Sequence, residues 1–528
     1  MTFYILYWRK FICITIALGV VFPVLEIKSE PTKEYELARR RLYRDINEFW
    51  WVIKKNLETM IKDDNHDTTK LNHNSIVDGQ ERHAAMMAIL EEISEVDGFK
   101  SWRERENKEL SDLLQSRILF LQNPENCSTA PKLFCKFNKL CGFGCQFEHM
   151  VSCLMLAYGT NRTLVLDDRD WSYNGYKNIA LGDVFQQISS SCLIDNLDPI
   201  SLNNIKKWPG TREDELVECP QTITGDSALD EFTALPEDLA DRIIRINGDP
   251  LLWRRSQFVK YLWKPTGSTQ MLLELIEKET DRRLPIVGIH VRRTDKLVEE
   301  EGSFHNIEEY IKHAEEYFQQ LEIMYGQKIV PKQIYVASDD PKVFSECRKK
   351  FPEYKFLGDV MSSKSADLSS RYNFESLQYL ISDIHMLSQS DFLVCTLTSN
   401  VCQLAYEIQQ QRFVDGSTRI KSLDVSWISA GFFRRHEVIY PHMAQDEGEL
   451  NVEVGDVING ITNLWNGYSI GKLANDGNKF GSYPLYKTRE TPRTSKLPTY
   501  EEAKYFTSAN ISRNLANNKK FTHTKGNF

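Results

Sequence analysis

A cluster of basic and acidic residues directly follows a short apolar run near position 290, and its residue types could bind phosphate. The stretch reads Ile286-Val-Gly-Ile-His-Val-Arg-Arg-Thr-Asp-Lys296. An apolar run with a polar end predicts a buried strand, and open α/β sheets bind ligands beyond the carboxyl ends of their strands. Two adjacent guanidiniums there indicate an anionic ligand, because arginine offers a planar fork of donors that fits phosphate. The alternative is a solvated basic turn.

The elements that must position this cluster alternate between strand and helix. Apolar runs predict strands at 286–291, 333–337, about 354–357 and 391–395. Helical patterns follow them from about 306, 341, 375 and 399. Asn306 with Glu309 three residues later, and Pro341 in a first turn, are typical of helix starts. A βαβ array predicts a parallel, Rossmann-like sheet, and the absence of a Gly-x-Gly-x-x-Gly turn leaves a dinucleotide cofactor without support.

A second anion-binding feature is the segment Thr398-Ser-Asn400, which lies between a predicted strand and the helix that ends near 409. A helix start presents unpaired N–H groups and a positive dipole to an anion. The alternative interpretation of Ser399 is an ordinary N-cap without a ligand.

Length and composition restrict the class of protein. The chain has 528 residues, which is enough for roughly two to four domains. An apolar content of 41% and a charged content of 26% are typical of a globular protein. The net charge of −9 argues against a general nucleic-acid binder, which would need a basic face.

The N-terminal segment indicates a membrane anchor. Arg9 and Lys10 precede an apolar run over 11–25, and Glu26 follows without a small-residue cleavage site. This pattern favours a single span at 11–27 with a cytosolic tail at 1–10 and a lumenal remainder, and thin secretory membranes tolerate a short span. The alternative is a cleaved signal peptide.

The cysteines agree with a lumenal location. Six of the eleven crowd into one segment: Cys127, Cys135, Cys141, Cys145, Cys153 and Cys192. An even cluster in an oxidising compartment predicts three disulfides. Zinc is the alternative for Cys135, Cys141 and Cys145, although no His/Cys pair follows at finger spacing. Cys395 and Cys402 are a further candidate pair, whereas Cys219 and Cys347 have no obvious partner.

The two ends of the chain differ from its middle. Apolar residues at near-heptad steps over 34–61 predict a helical stem at 33–122 with coiled-coil character, and hence a homodimer. The alternative is an antiparallel helical hairpin that packs on its own globular domain. At the other end, short strands, glycine turns, Trp465 and a Tyr-Pro pair resemble an SH3-like β-barrel at 441–506. Residues 507–528 are polar and predicted to be loose.

Four motifs occur in an order that matches a known family: His-Val-Arg-Arg-Thr-Asp-Lys, Tyr-Val-Ala-Ser-Asp-Asp, Asp-Ile-His-x-Leu-Ser-Gln and Cys-Thr-x-x-Ser-x-Val-Cys. With the stem before them and the SH3-like segment after, the chain resembles the core α1,6-fucosyltransferases of the Golgi. The resemblance implies a GT-B-like α/β catalytic region, with a disulfide-rich subdomain at 123–283 and a GDP-fucose-binding subdomain at 284–440. It also implies a single-pass type II Golgi membrane protein.

The same resemblance implies an activity and a set of site residues. The family moves L-fucose from GDP-fucose to O6 of the innermost GlcNAc of an N-glycan, with inversion and without a required metal or other cofactor. The residues it assigns to the donor are His290, Arg292, Arg293, Tyr173, Arg371, Asp383 and Ser399. The residues it assigns to the acceptor side are Lys139, Asp295, Asp339, Asp340, Asn400 and Asp424.

Inversion requires a base for the acceptor hydroxyl on the face opposite the leaving diphosphate. In the family this base is a glutamate in the loop after the Arg-Arg element, and that loop is one residue longer here. Counted back from Phe304-His305 the base is Glu301, which we prefer; counted forward from Lys296 it is Glu300. Lys296 is expected to hold or relay the charge of the base.

Three departures from the family pattern lie on the expected acceptor side. They are Asn400 after the serine, Val425 beside a single acid, and Leu464 before the tryptophan of the SH3-like segment. They motivate two alternatives: a lumenal glycan-binding protein of the same fold with weak turnover, or a fucosyltransferase with a different acceptor.

Overall fold

The computed structural model describes residues 30–63, 69–173, 180–197, 202, 204–211, 215–220, 234–294, 303–367, 369–427 and 434–506. The predicted anchor at 11–27 and the tail at 507–528 lie outside these ranges. Within them, no helix combines the length and the apolar character that a membrane crossing needs.

Two long helices form an antiparallel hairpin at the start of the described chain: α1 (Lys33–Asp63) and α2 (Thr69–Val96). Asn47 of α1 contacts His83 of α2 at 3.0 Å, and Arg39 donates to Ser94 at 2.8 Å. Helix α2 also packs on α8 (Ile307–Tyr325), a helix of the predicted catalytic unit. The antiparallel hairpin, which was the alternative interpretation of this helical segment, is therefore present, and it packs on its own globular domain.

The predicted stem boundary at residue 122 is wrong. The helical run divides at Gly98, which has a φ of +82° that favours glycine, and α3 (Lys100–Gln122) follows. Leu110, Leu114 and Ile118 of α3 are fully buried in the core of the next subdomain. Their apolar spacing suits a stem helix equally well, so only the packing assigns α3 to the catalytic unit.

The first of the two predicted catalytic subdomains is built on a parallel sheet with the strand order β2-β1-β4-β3. Its elements are β1 (Lys132–Lys136), α4 (Phe143–Gly159), β2 (Thr163–Asp167), β3 (Lys206–Lys207), β4 (Leu216–Glu218), β5 (Ala234–Pro236), α5 (Ala240–Ile246), α6 (Pro250–Leu262) and α7 (Gly267–Glu279). The predicted cysteine cluster lies here as disulfides, Cys127–Cys192, Cys135–Cys153 and Cys141–Cys145.

The second subdomain is the predicted Rossmann-like unit, a parallel sheet with the order β10-β9-β6-β7-β8. With α8 it comprises β6 (Ile286–Val291), β7 (Gln333–Ser338), α9 (Lys342–Lys350), β8 (Lys355–Leu357), α10 (Val360–Ser365), α11 (Phe374–Ser388), β9 (Phe392–Cys395), α12 (Asn400–Gln409) and β10 (Ile420–Ser422). Asn306 caps α8, and its N–H donates to Glu309 at 2.9 Å. Cys395 and Cys402 form the predicted disulfide.

The C-terminal part is an antiparallel sheet with the order β14-β13-β12-β11-β15. Its strands are β11 (Arg434–Val438), β12 (Val457–Asn463), β13 (Tyr468–Leu473), β14 (Phe480–Pro484) and β15 (Thr488–Glu490). The boundary predicted at residue 440 is therefore too late, because β11 belongs to this sheet.

The end of the described chain returns to the first catalytic subdomain. Strand β16 (Arg493–Ser495) pairs with β5 in parallel, and the Tyr500 hydroxyl donates to the Tyr158 carbonyl at 2.7 Å. Residues 493–506 therefore brace the catalytic unit, and the segment predicted as one SH3-like domain at 441–506 divides at β16.

Candidate active site

The site lies at the carboxyl edge of the Rossmann-like sheet. Strand β6 is fully buried between β7 and β9, with His290 opposite Ala337 on one side and Cys395 on the other. Parallel strands in this register end together, so the residues after each strand meet at one edge. The predicted cluster after β6 therefore faces Asp339 after β7 and the turn before α12 after β9.

Asp339 connects the residues that follow β6. Its carboxylate pairs with the Arg292 guanidinium at 2.5 Å and accepts from the backbone N–H of Arg293 at 2.8 Å and of Thr294 at 3.0 Å. The Thr294 hydroxyl also donates to it. Burial raises the pKa of Asp339, but the charge of Arg292 and these hydrogen bonds outweigh burial and hold the pKa below its usual range. An ionised Asp339 thus fixes the orientation of Arg292.

The two adjacent arginines have different surroundings. The Arg293 guanidinium pairs with Glu346 at 2.6 Å and lies 4.8 Å from the centre of the Phe304 ring. Arg293 therefore ties the start of the loop after β6 to the residues that follow the loop. Asp340 accepts from the Lys342 N–H at 3.0 Å and thereby holds the start of α9.

His290 is a buried neutral imidazole. It is 5% exposed, and its Nδ1 atom has no hydrogen-bond partner among the described residues. Burial and the nearby Arg292 charge lower its pKa to about 4. A neutral ring beside Arg292 can donate or accept one hydrogen bond without adding charge to the edge.

The start of α12 is organised by Asp424, which follows β10. The Asp424 carboxylate accepts from the N–H of Leu397 at 2.8 Å and from the Thr398 hydroxyl at 2.6 Å. It thereby shapes the turn that ends at Ser399, the N-cap of α12. These donors already engage the oxygens of the Asp424 carboxylate. The acceptor-side role predicted for Asp424 stays a prediction.

Asn400 lies where the two catalytic subdomains touch. A methyl group added to Gly144, near the start of α4, would lie 3.0 Å from the Asn400 carbonyl carbon. The starts of α4 and α12 therefore approach each other as closely as glycine permits. Asn400 sits at a seam between subdomains, where a substitution affects their spacing as well as any ligand contact.

Asp383 is enclosed by two hydroxyl groups to which the sequence assigned no role. The Tyr335 hydroxyl of β7 donates to its carboxyl group at 2.7 Å, and the Ser362 hydroxyl of α10 donates as well. Burial raises the pKa of Asp383 to about 7, and the two hydroxyl donors only partly offset burial. Tyr335 begins the second of the family motifs, but the sequence assigned no role to Tyr335 or Ser362, because they approach Asp383 only in the folded structure.

Tyr173 and Arg371 approach each other from the two subdomains. The Tyr173 hydroxyl accepts from the Phe143 N–H at 3.2 Å, and its ring centre lies 5.3 Å from that of Tyr372. Arg371 donates to the Ala366 carbonyl at 2.8 Å. Lys139 is half-buried in the first subdomain, and burial lowers its pKa. Asp295, Lys296, Glu300 and Glu301 lie outside the described residues.

A separate cavity of about 580 Å³ lies between the helical hairpin, β10 and the C-terminal sheet. On its wall the Lys421 ammonium sits between two indole rings, 4.2 Å from the centre of Trp51 and 4.1 Å from that of Trp465. The Trp465 indole donates to the Asp424 carbonyl at 3.0 Å. This junction therefore links the hairpin and the C-terminal sheet to the turn before α12.

Comparison with known proteins decides the family. Residues 23–427 match the model for the N-terminal and catalytic domains of α-(1,6)-fucosyltransferases. The chain belongs to the α-(1,6)-fucosyltransferase family. An α-(1,6)-fucosyltransferase of Drosophila melanogaster is 38% identical over 483 residues, which cover 89% of this chain and 75% of the relative. One of Caenorhabditis elegans is 31% identical over 474 residues, covering 88% and 81%.

Membership of the α-(1,6)-fucosyltransferase family makes the chain a glycosyltransferase. Solved structures that resemble it include fucosyltransferase NodZ from Bradyrhizobium, with 13% identity, a TM-score of 0.32 and coverage of 52% of this chain and 92% of that one. POFUT1 in complex with GDP-fucose has 11% identity, a TM-score of 0.32 and coverage of 53% and 94%. Similarities this low add nothing to the family assignment.

Proposed function

We propose that the chain transfers L-fucose from GDP-β-L-fucose to O6 of the innermost GlcNAc of N-glycans, with inversion and without a metal. The observation that carries the donor half of this proposal is the Arg292–Asp339 pair at the carboxyl edge of the sheet. A guanidinium fixed before the reaction is well placed to stabilise the charge that develops on a leaving diphosphate. The acceptor half rests on the names of the two relatives.

The other donor contacts that we propose follow the family resemblance. His290 lies beside Arg292, and Ser399 with the N–H groups at the start of α12 faces the same edge, where a helix N-terminus suits phosphate. Tyr173 and Arg371 flank the nucleotide, and Asp383 accepts from the guanine base. The acceptor-side residues that we propose are Lys139, Asp295, Asp340, Asn400 and Asp424, with Glu301 as the base and Lys296 beside it. Asp339, which was also predicted on the acceptor side, pairs with Arg292.

A pH dependence of GDP binding follows if Asp383 accepts from guanine as a carboxylate. Its pKa of about 7 means that below this pH binding must first remove a proton. The GDP dissociation constant should therefore rise by up to about tenfold per pH unit below 7 and level off above pH 8. Calorimetry from pH 5.5 to 8.5 in two buffers of different ionisation enthalpy measures this rise and the released proton.

Asp383→Asn should bind GDP weakly with a flatter pH profile, because it has no proton to lose. The matched control is Glu375→Gln, an exposed carboxylate in the first turn of the same helix, which should leave both affinity and profile unchanged. An unaltered profile in Asp383→Asn would exclude Asp383 as the titrating group.

We further propose that the chain is a single-pass type II protein of the Golgi membrane, with 1–10 cytosolic, 11–27 in the membrane and the rest lumenal. The disulfides support a lumenal location, because such bonds persist in oxidising compartments. The antiparallel C-terminal sheet is proposed to be SH3-like. Its Trp465 contact with Asp424 supports a role in bracing the enzyme.

The outer face of the hairpin is proposed to form a homodimer with coiled-coil character. Apolar side chains on α1 face outward, with Phe49 64%, Met60 55% and Leu42 50% exposed. On α2, Val96 is 72% and Ile89 55% exposed. Several exposed apolar side chains on one element are typical of an interaction surface, and the near-heptad steps suit a second copy of the same helices.

Phe49→Glu should weaken this dimer by more than about 10²-fold, because an unpaired carboxylate would be buried at the interface. Sedimentation of the purified full chain in detergent over a concentration series measures the change. The matched control is Leu275→Glu, which alters an equally apolar residue, 50% exposed, on α7 outside the hairpin. A Phe49→Glu protein that sediments as wild type would rule out this face.

One assay tests the proposed activity. The purified full chain is incubated with GDP-fucose and a GlcNAc-terminated biantennary N-glycan, in parallel reactions with and without EDTA, and the glycan is analysed by mass spectrometry with linkage determination. We expect one added deoxyhexose on O6 of the innermost GlcNAc. Glycan binding without transfer would favour the alternative of a binding protein, transfer to another position would favour a different acceptor, and loss of transfer in EDTA would exclude the metal-independent mechanism.

A further inference from the structure

A third sulfur lies against a disulfide in the core of the first catalytic subdomain. The Cys135–Cys153 disulfide joins β1 to α4, and the Cys219 Sγ atom lies 3.4 Å from the Cys153 Sγ atom. All three cysteines are buried. The His149 Nε2 atom lies 3.7 Å from the sulfurs of both Cys135 and Cys153.

The sheet register explains why two cysteines approach one. Strand β1 pairs with β4 in parallel, with Phe134 opposite Glu218, and the Cys219 N–H donates to the Phe134 carbonyl at 2.8 Å. Cys135 and Cys219 are therefore the next pair along the two strands, and in-register neighbours point to the same face of a sheet. That face is covered by α4, whose Cys153 is within reach of both sulfurs.

We propose that Cys135, Cys153 and Cys219 form a thiol–disulfide exchange site that interconverts two disulfide isomers. The Cys219 sulfur attacks the Cys153 sulfur, the Cys153–Cys219 bond forms, and the Cys135–Cys153 bond breaks. The Cys219 proton ends on Cys135, so one disulfide and one thiol remain and no external oxidant or reductant is consumed. The proposal does not depend on the transferase activity.

The surroundings of the three sulfurs fit this chemistry. Burial lowers the pKa of His149 to about 4, so the ring is neutral at neutral pH and can donate a hydrogen bond to the leaving Cys135 sulfur. Burial raises the pKa of the Cys219 thiol to about 12. The attacking species is the thiolate, so exchange is slow at neutral pH and its rate should rise about tenfold per pH unit.

Loop closure does not disfavour the second isomer. The Cys135–Cys153 bond spans 18 positions, and a Cys153–Cys219 bond would span 66. In the chain-entropy description, the longer loop removes more entropy from the unfolded chain. Either bond also holds α4 covalently to the sheet, so exchange need not loosen the subdomain.

Disulfide mapping tests the proposal. The purified full chain is held at pH 7, 8 or 9 for increasing times, quenched in acid, alkylated, digested without reduction and analysed by mass spectrometry. We expect both the Cys135–Cys153 and the Cys153–Cys219 peptides, with an approach to constant proportions that is about tenfold faster per pH unit. The Cys141–Cys145 peptide is the internal control and should stay unchanged.

Serine variants make the outcome decisive. Cys135→Ser should contain the Cys153–Cys219 bond, Cys219→Ser only the Cys135–Cys153 bond, and the two should melt within a few degrees of each other. Cys153→Ser should contain neither bond and melt lower than both. A Cys135→Ser protein that folds but leaves Cys153 and Cys219 alkylated would overturn the proposal. So would stoichiometric zinc in a wild-type protein with all three thiols alkylated.

Discussion

Replacing Arg292 with alanine is expected to lower kcat by about 10²–10³-fold, as the loss of one fixed donor at a developing charge commonly does. Asp339 holds the Arg292 guanidinium at 2.5 Å, and both groups are mostly buried. The guanidinium is therefore already oriented in the folded protein before the reaction begins. Steady-state kinetics with GDP-fucose and a GlcNAc-terminated glycan measure the effect. KM for the glycan should change far less, because the stabilised charge is on the donor.

Conservative and neighbouring variants separate this role from a structural one. Arg292→Lys keeps the charge but loses the planar fork, so its kcat should lie between those of wild type and Arg292→Ala. Arg293→Ala removes an equal charge one residue away, but the Arg293 guanidinium is already paired with Glu346. This variant should therefore lower kcat by about tenfold or less. An Arg293→Ala defect as large as that of Arg292→Ala would contradict the division between the two arginines.

Arg292→Ala is also expected to change how the stability of the protein depends on pH. The pKa of Asp339 is lower in the folded protein than in the unfolded chain, where it is near 4. The ion pair with Arg292 therefore stabilises the fold fully at pH values above 4. This contribution is lost as the pH falls through the pKa of the folded state. The variant should therefore melt lower than wild type at pH 7, and the difference should narrow as the pH falls below 4. Calorimetric melting curves at pH 3, 5 and 7 follow this difference.

Local pattern was sufficient for the elements that carry the donor side. The apolar run before His290, the capping pair Asn306 and Glu309, and Pro341 at a helix start all act within a few residues, and each appears where the sequence placed it. The cysteine cluster was also recognisable, because an even number of closely spaced cysteines is typical of the disulfide frameworks of proteins in oxidising compartments.

Long-range pairing accounts for what the sequence did not reveal. Asp339 and Arg292 are separated by 47 positions and Tyr335 and Asp383 by 48, and only the order of strands brings them together. The return of β16 to β5 spans more than 250 residues with no local signal. Cys219 looked unpaired for the same reason, since its neighbours depend on the β1–β4 register.

The residues on both sides of the loop that carries the proposed base are held in place by the described fold. Phe304 stacks under Arg293 at 4.8 Å, and the His305 ring contacts Glu309 at 2.8 Å. Phe304 and His305 are thus fixed to the Rossmann-like sheet and to the capping turn of α8. Thr294, just before the loop, is held in place by Asp339 in the same way. The choice between the two glutamates therefore rests on the family spacing counted back from Phe304-His305, and Glu301 is the base that we propose.

Glu301→Gln is accordingly expected to lower kcat by about 10³-fold or more, because a general base contributes about 10²–10⁴, while GDP binding stays unchanged. Glu300→Gln and Glu299→Gln are the matched controls in the same acidic run and should retain activity within a few-fold. Rapid-quench measurements of fucose transfer and calorimetric GDP titrations separate chemistry from donor binding. If Glu300→Gln is the inactive protein instead, the extra residue lies after the base, and the spacing that matters is the one counted from Lys296.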